Sequence, residues 1–175
     1  MATKVNTTLD ALEGTQFGRE RRLLNQSVWY NGWLYTFLAT SEDTEGSFTL
    51  IEGVAKKGCT PPPHIHHRED ETYYVIEGQL TASVGEQVIK VTPGTAVFLP
   101  RDVAHSIVID SDRVRVLILL TPAGLERYFK ELSVPAPALT LPPSHDADFA
   151  EIERMLEVSP EFGIEWVLPK ELREC

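Results

Sequence analysis

Cysteine is nearly absent. The 175-residue chain has two, Cys59 and Cys175, and the second is its last residue. A disulfide scaffold is excluded, and a reducing compartment is the default. Long apolar runs are missing too. The strongest, VRVLILL from Val114 to Leu120, falls far short of the roughly 20 residues that span a bilayer as a helix. The opening segment MATKVNTTLDALEGTQ lacks the apolar core of a signal peptide, so the expected location is the cytoplasm. Positive charge is also scarce, with 16 Lys and Arg against 26 Asp and Glu, a net charge of −10 at pH 7. Nucleic acid and anionic membrane surfaces, which need clustered basic side chains, are therefore excluded as expected partners. No fixed-period repeat is visible. Against these absences stands an ordinary globular composition, 42% hydrophobic and 24% charged, in a length that suits one domain.

The punctuation predicts an all-β fold. The segment VWYNGWLYTFLAT from Val28 carries an Asn31-Gly32 turn signal, and SFTLIEGVA follows a polar turn. After the extended Pro61–Pro63 stretch come ETYYVIEG, QLTASVG, QVIKVTPG, AVFLP, HSIVID and RVRVLILL, separated by Gly78, Gly85, Pro93-Gly94 and Pro100. Short strands with regular turns indicate a sandwich or barrel of eight or more strands. Residues 1–27 are expected as an N-terminal arm, 28–121 as the β-barrel, and 122–175 as a helical C-terminal extension of the same domain. Within that extension Leu125, Tyr128, Phe129 and Leu132 have helical spacing, as do Phe149, Ile152 and Leu156. The second stripe reads as ordinary packing, with Asp146 or Asp148 as N-cap.

The chemistry concentrates between Gly58 and Gly78. His64 and His66 stand two apart in an extended chain, so both rings point to one face. Glu71 opens the next strand, and a short turn brings its carboxylate back beside the imidazoles. His105 follows later, at the start of the strand after the Pro100-Arg101-Asp102 turn. Imidazole and carboxylate donors converging on one point make a transition-metal site. Neutral imidazole suits Fe, Ni, Co, Cu or Zn and carboxylate suits Mn, so the donor set fixes one divalent ion per chain without naming it.

These two stretches, Gly58–Gly78 and Gly94–Pro100–His105, resemble the signatures of the cupin superfamily. The resemblance implies a double-stranded β-helix (jelly roll) barrel with a metal bound by His64, His66, Glu71 and His105. Ile109 stands where the germin version carries Asn, which argues against a germin-like oxalate activity. The run LTPAGLERYFKELSVPA is similar to the tail of bacterial single-domain quercetinase-like cupins, which open flavonols with dioxygen and release carbon monoxide. What this implies is a metal-dependent dioxygenase acting on a flavonol or a related enolisable small molecule, with Glu71 as ligand and general base. The alternatives are a non-catalytic metallocupin that binds a small ligand and a metal-dependent isomerase or lyase. A homodimer is expected on the same resemblance.

By period two, Tyr73 and Val75 share the face of Glu71, and Ile107 and Ile109 that of His105. An aromatic pocket is expected from Tyr35, Phe37, Phe48, Tyr73, Phe98 and Ile107. The remaining singular residues have plainer readings. His67, of opposite parity to His66, belongs on the surface, and His145 in a solvated loop. Asp70 competes with Glu71 as ligand, and the six-residue gap from Glu71 to Gly78 favours Glu71. Cys59 reads as a buried small residue, Arg113 and Arg115 as a solvated face, and Trp29, Trp33 and Trp166 as core or interface.

Overall fold

The computed structural model describes residues 20, 23–143 and 149–167. Most of the expected arm, His145, the two candidate N-caps Asp146 and Asp148, and Cys175 lie outside the described residues. The chain folds as two antiparallel sheets facing one another across a shared core. The larger holds β1 (Ser27–Tyr30), β2 (Trp33–Ala39), β3 (Thr49–Lys56), β5 (Asp70–Glu77), β8 (Ala96–Leu99), β10 (Arg113–Thr121) and the short β11 (Val134–Pro135). Its spatial order is β11-β1-β2-β3-β10-β5-β8. The smaller holds β4 (His64–His66), β6 (Leu80–Val84), β7 (Gln87–Val91), β9 (His105–Ile109) and β12 (Ile164–Trp166), ordered β12-β4-β9-β6-β7. The all-β jelly-roll expectation is met.

Alternation builds the core. On β10, Val114, Val116, Ile118 and Leu120 point inward and are buried, while Arg115, Leu117 and Leu119 face out. Tyr73 and Val75 on β5, Val97 and Leu99 on β8, and Ile107 and Ile109 on β9 join them. The Asn31-Gly32 pair turns β1 into β2 with φ of 46° and 81°, as a two-residue hairpin loop requires. Gly78 is fixed more severely. Its φ is +80°, and a Cβ there would lie 2.2 Å from the Arg113 carbonyl oxygen.

The segment after Thr121 is more than helical. Helix α1 (Glu126–Leu132) lays Tyr128 and Phe129 on the core. Its buried Glu126 accepts hydrogen bonds from the Ser41 and Gly124 amides and the Thr49 hydroxyl. β11 then extends the large sheet at β1, and β12 extends the small sheet at β4. Helix α2 (Phe149–Val158) corrects one expectation. Its stripe of Phe149, Ile152 and Leu156 is exposed, Phe149 by 79%. The helix instead meets the core through Met155 and Val158, about a third of a turn round the axis from that stripe. No helix among the described residues is long and apolar enough to cross a membrane.

Candidate metal centre

Three strands of the two facing sheets bring four side chains together. β4 presents His64 and His66, β9 begins with His105, and β5 presents Glu71 from the opposite sheet. One donor atom from each lies within 4.8 Å of all the others. His66, Glu71 and His105 are only 2–4% exposed, and His64 is half-buried at the rim.

Local backbone sets the ring orientations. His64 Nδ1 donates to the Pro62 carbonyl at 2.8 Å, and His105 Nδ1 donates to the Val103 carbonyl at 3.0 Å. Both bonds reach back two residues. With the proton on Nδ1, each Nε2 keeps a lone pair for the centre of the cluster. His105 Nε2 is buried and has no hydrogen-bond partner among the described residues. His64 Nε2 lies 3.0 Å from His66 Nε2. Glu71 Oε2 lies 3.6 Å from His105 Nε2 and 3.9 Å from His66 Nε2. Donors about 2.1 Å from one ion stand roughly 3.0–4.2 Å apart, from cis to trans positions. The donor types and these three spacings fit a divalent transition metal.

Burial keeps the cluster neutral when no cation is present. It pulls His64 down to about 4, helped by the neighbouring His105. It holds His66 well below the ordinary imidazole value, with His64 and His105 adding to the effect, and it lowers His105 as well. The same burial pushes Glu71 up to about 8, against a hydrogen bond from the Tyr73 hydroxyl that favours the carboxylate. A cation among these groups would reverse the preference of Glu71.

The other expected residues fall on both sides of the wall. Tyr35, Phe37, Tyr73 and Ile107 are buried in the barrel core. Tyr35 feels the charge of Glu71, whereas Phe37 lies beneath the Lys130 ammonium, 5.1 Å from its ring centre. Phe98 and Phe48 are corrections. Phe98 is 56% exposed, because on β8 it is Val97 and Leu99 that face inward. Phe48 precedes β3 and is exposed, while its neighbour Thr49 turns in toward Glu126. Asp70 is taken by Arg101, which donates to it from its amide and its guanidinium. His67 is on the surface between Asp102 at 2.7 Å and Glu165 at 3.2 Å. Cys59 is half-buried against Trp33, whose Nε1 donates to its carbonyl.

Sequence reasoning missed Trp166. Its ring lies 5.1 Å from the His64 ring, although 102 positions separate the two in the chain. Only the pairing of β12 on β4 places it there.

Two histidines two apart, a returning carboxylate and a later histidine thus converge from facing sheets. Residues 50–122 match Cupin_2, a cupin domain. Among curated proteins the chain is similar to quercetin 2,3-dioxygenase of Bacillus subtilis (strain 168), 30% identical over 102 residues. It also resembles an uncharacterized protein of Streptomyces coelicolor, 36% identical over 56 residues. These matches cover 58% and 32% of this chain, and 30% and 53% of the two relatives. The barrel resembles the structure of KdgF from Halomonas sp., with a TM-score of 0.50 and 20% identity over 56% of this chain and 87% of that one. An RmlC-like cupin from Shewanella frigidimarina gives a TM-score of 0.50 and 20% identity over 57% and 86%. At that identity the two structures speak for the fold of the cupin barrel.

Proposed function

We propose that this cupin is a metal-dependent dioxygenase that opens a flavonol or a related enolisable small molecule with dioxygen. The observation that carries the proposal is the convergence of His64, His66, Glu71 and His105 on one point inside the barrel. The similarity to a quercetin dioxygenase directs the choice of chemistry. His64, His66, His105 and Glu71 would hold one divalent transition ion, which supplies Lewis acidity toward an enolate oxygen.

The protein's own part is proton handling and positioning. Glu71 accepts the proton of the substrate's hydroxyl as general base. A bound cation would offset the burial that raises its proton affinity and keep it the carboxylate that a general base must be. Tyr73 donates to the Glu71 carboxylate and holds it on the inner face of β5. Tyr35 and the other inward aromatics exclude water from the reacting atoms.

The homodimer belongs to the same proposal. On the outer face of the large sheet, Leu50, Leu119, Thr72 and Phe98 stand side by side across β3, β10, β5 and β8. Leu117, Tyr74 and Ala96 form the adjoining row. This row of largely apolar side chains supports the homodimer reading.

The test is oxygen uptake. The protein is stripped of metal and reloaded separately with Fe(II), Mn(II), Co(II), Ni(II), Cu(II) and Zn(II). Flavonols and simpler enols are then added, with His66→Ala as control. Uptake that needs both metal and substrate, and vanishes in the variant, is the expected result. Tight metal binding without uptake would overturn the dioxygenase and leave a ligand-binding cupin or an isomerase.

A further inference from the structure

β4 carries two of the four donors yet is only three residues long. On one side it meets β9 through a single pairing, His64 with His105. On the other it is zipped to β12 over its whole length, with Ile164 opposite His66, Glu165 opposite Ile65 and Trp166 opposite His64. Two flanking bonds extend this zipper. The Val167 amide donates to the Pro63 carbonyl, and the His67 amide donates to the Gly163 carbonyl, each at 2.8 Å. The strand presenting His64 and His66 is therefore held chiefly by the far end of the chain, some forty residues beyond the matched cupin region that ends at residue 122.

The side chains tell the same story. The Trp166 ring sits against His64, and its Nε1 donates to Ser159 Oγ at 2.7 Å. Ser159 is fully buried and donates to the Met155 carbonyl of α2. Its oxygen also lies 3.2 Å from the Tyr128 hydroxyl, which is in turn 3.4 Å from that of Tyr30. A chain of hydroxyls thus fixes the indole to α2, α1 and β1 on one side while the indole backs the His64 imidazole on the other. Gly163 makes the turn into β12 with φ of +73° and accepts no larger residue freely, since a Cβ there would lie 3.0 Å from the Arg68 side chain.

We propose that the segment Ser159–Trp166 is a working part of the metal centre: β12 sets the position of β4, and Trp166 is a positioning residue for His64. The proposal rests on the reading of the four-residue cluster as a metal site. It follows that metal binding and docking of this segment are linked, each strengthening the other.

The test uses the full chain and Ni(II) as the probe. Calorimetry gives the affinity of wild type, Trp166→Ala, Trp166→Phe and His66→Ala. Hydrogen exchange is followed at residues 163–167 with and without Ni(II). Loss of an outer-shell partner costs about 10–100-fold in metal affinity, so Trp166→Ala should weaken Ni(II) by about tenfold or more. Trp166→Phe, which keeps a ring over His64, should recover most of that. In wild type, Ni(II) should slow exchange at residues 163–167 at least about tenfold. Tight Ni(II) binding by wild type, combined with unchanged exchange there and Trp166→Ala within about twofold, would overturn the linkage while leaving the metal site intact. Equal binding by wild type and His66→Ala, or none by wild type, would instead overturn the metal site itself.

Discussion

Raising the pH from 7 to 9 in the absence of metal should destabilise this protein, and the loss should trace to one carboxyl. Glu71 is held up to about 8 in the folded chain, chiefly by burial, against an ordinary value of 4.5. A raised folded-state value means that the folded chain keeps a proton the unfolded chain has lost, so stability falls as pH climbs toward and through 8. Linkage arithmetic gives a loss of about 1 kcal/mol between pH 7 and 8 and about 1.4 kcal/mol by pH 9. Glu69, buried and raised to about 7, adds only about 0.4 kcal/mol above pH 7 by the same arithmetic. The cluster histidines have lowered values. Their effect has the opposite sign and is confined to pH below about 6.5, where the unfolded chain takes up protons first. His67, raised by its Asp102 and Glu165 partners, is exposed, and solvent screening leaves it little weight. Urea unfolding at pH 7, 8 and 9 in a chelating buffer, for wild type and Glu71→Gln, isolates the term. The stability of wild type relative to Glu71→Gln should fall by about 1.4 kcal/mol from pH 7 to 9, or roughly 3–5 °C in Tm for a chain of this size. A difference that is flat with pH, or that grows, would refute the assignment of a buried protonated carboxyl.

The same proton should appear in metal binding. At pH 7 Glu71 is about nine-tenths protonated and the cluster histidines are neutral, so loading one divalent ion should release about one proton, measured by calorimetry in buffers of different ionisation enthalpy. Gly78→Ala places a methyl 2.2 Å from the Arg113 carbonyl oxygen at positive φ. It should cost about 3 kcal/mol or more in denaturant unfolding. Gly58→Ala, at φ +92° with nothing near, should cost only about 1–2 kcal/mol for the backbone conformation. If the proposed homodimer forms through this face, wild type should sediment as a dimer and Phe98→Asp as a monomer with unchanged metal affinity, because Phe98 faces away from the barrel interior.

Local rules made most of the barrel legible. His64 and His66 are two apart on a strand, so their common face follows from the pleat. The six-residue gap to Gly78 likewise favoured Glu71 over Asp70, which Arg101 holds outside. Other features have no local signal. Strand β8 reads AVFL, apolar at every position, so period two cannot tell Phe98 from its inward neighbours Val97 and Leu99. The α2 stripe of Phe149, Ile152 and Leu156 has a sound helical period, but the period does not say which face the rest of the chain covers. The contact of Trp166 with His64 depends on a strand pairing across about a hundred residues, which composition and spacing do not encode.

The chemistry of the cluster also explains how the barrel tolerates it. Four titratable groups buried together would be costly if charged, since each ion taken from water carries a desolvation penalty of several kcal/mol. Here burial moves every group toward its neutral form, imidazoles downward and Glu71 upward. Backbone carbonyls at Pro62 and Val103 satisfy two of the ring protons. The aromatic and aliphatic core around Trp33, Tyr35, Tyr73 and Val116 is made of side chains that are not metal donors. A cation held by His64, His66, Glu71 and His105 would take the place of the Glu71 proton.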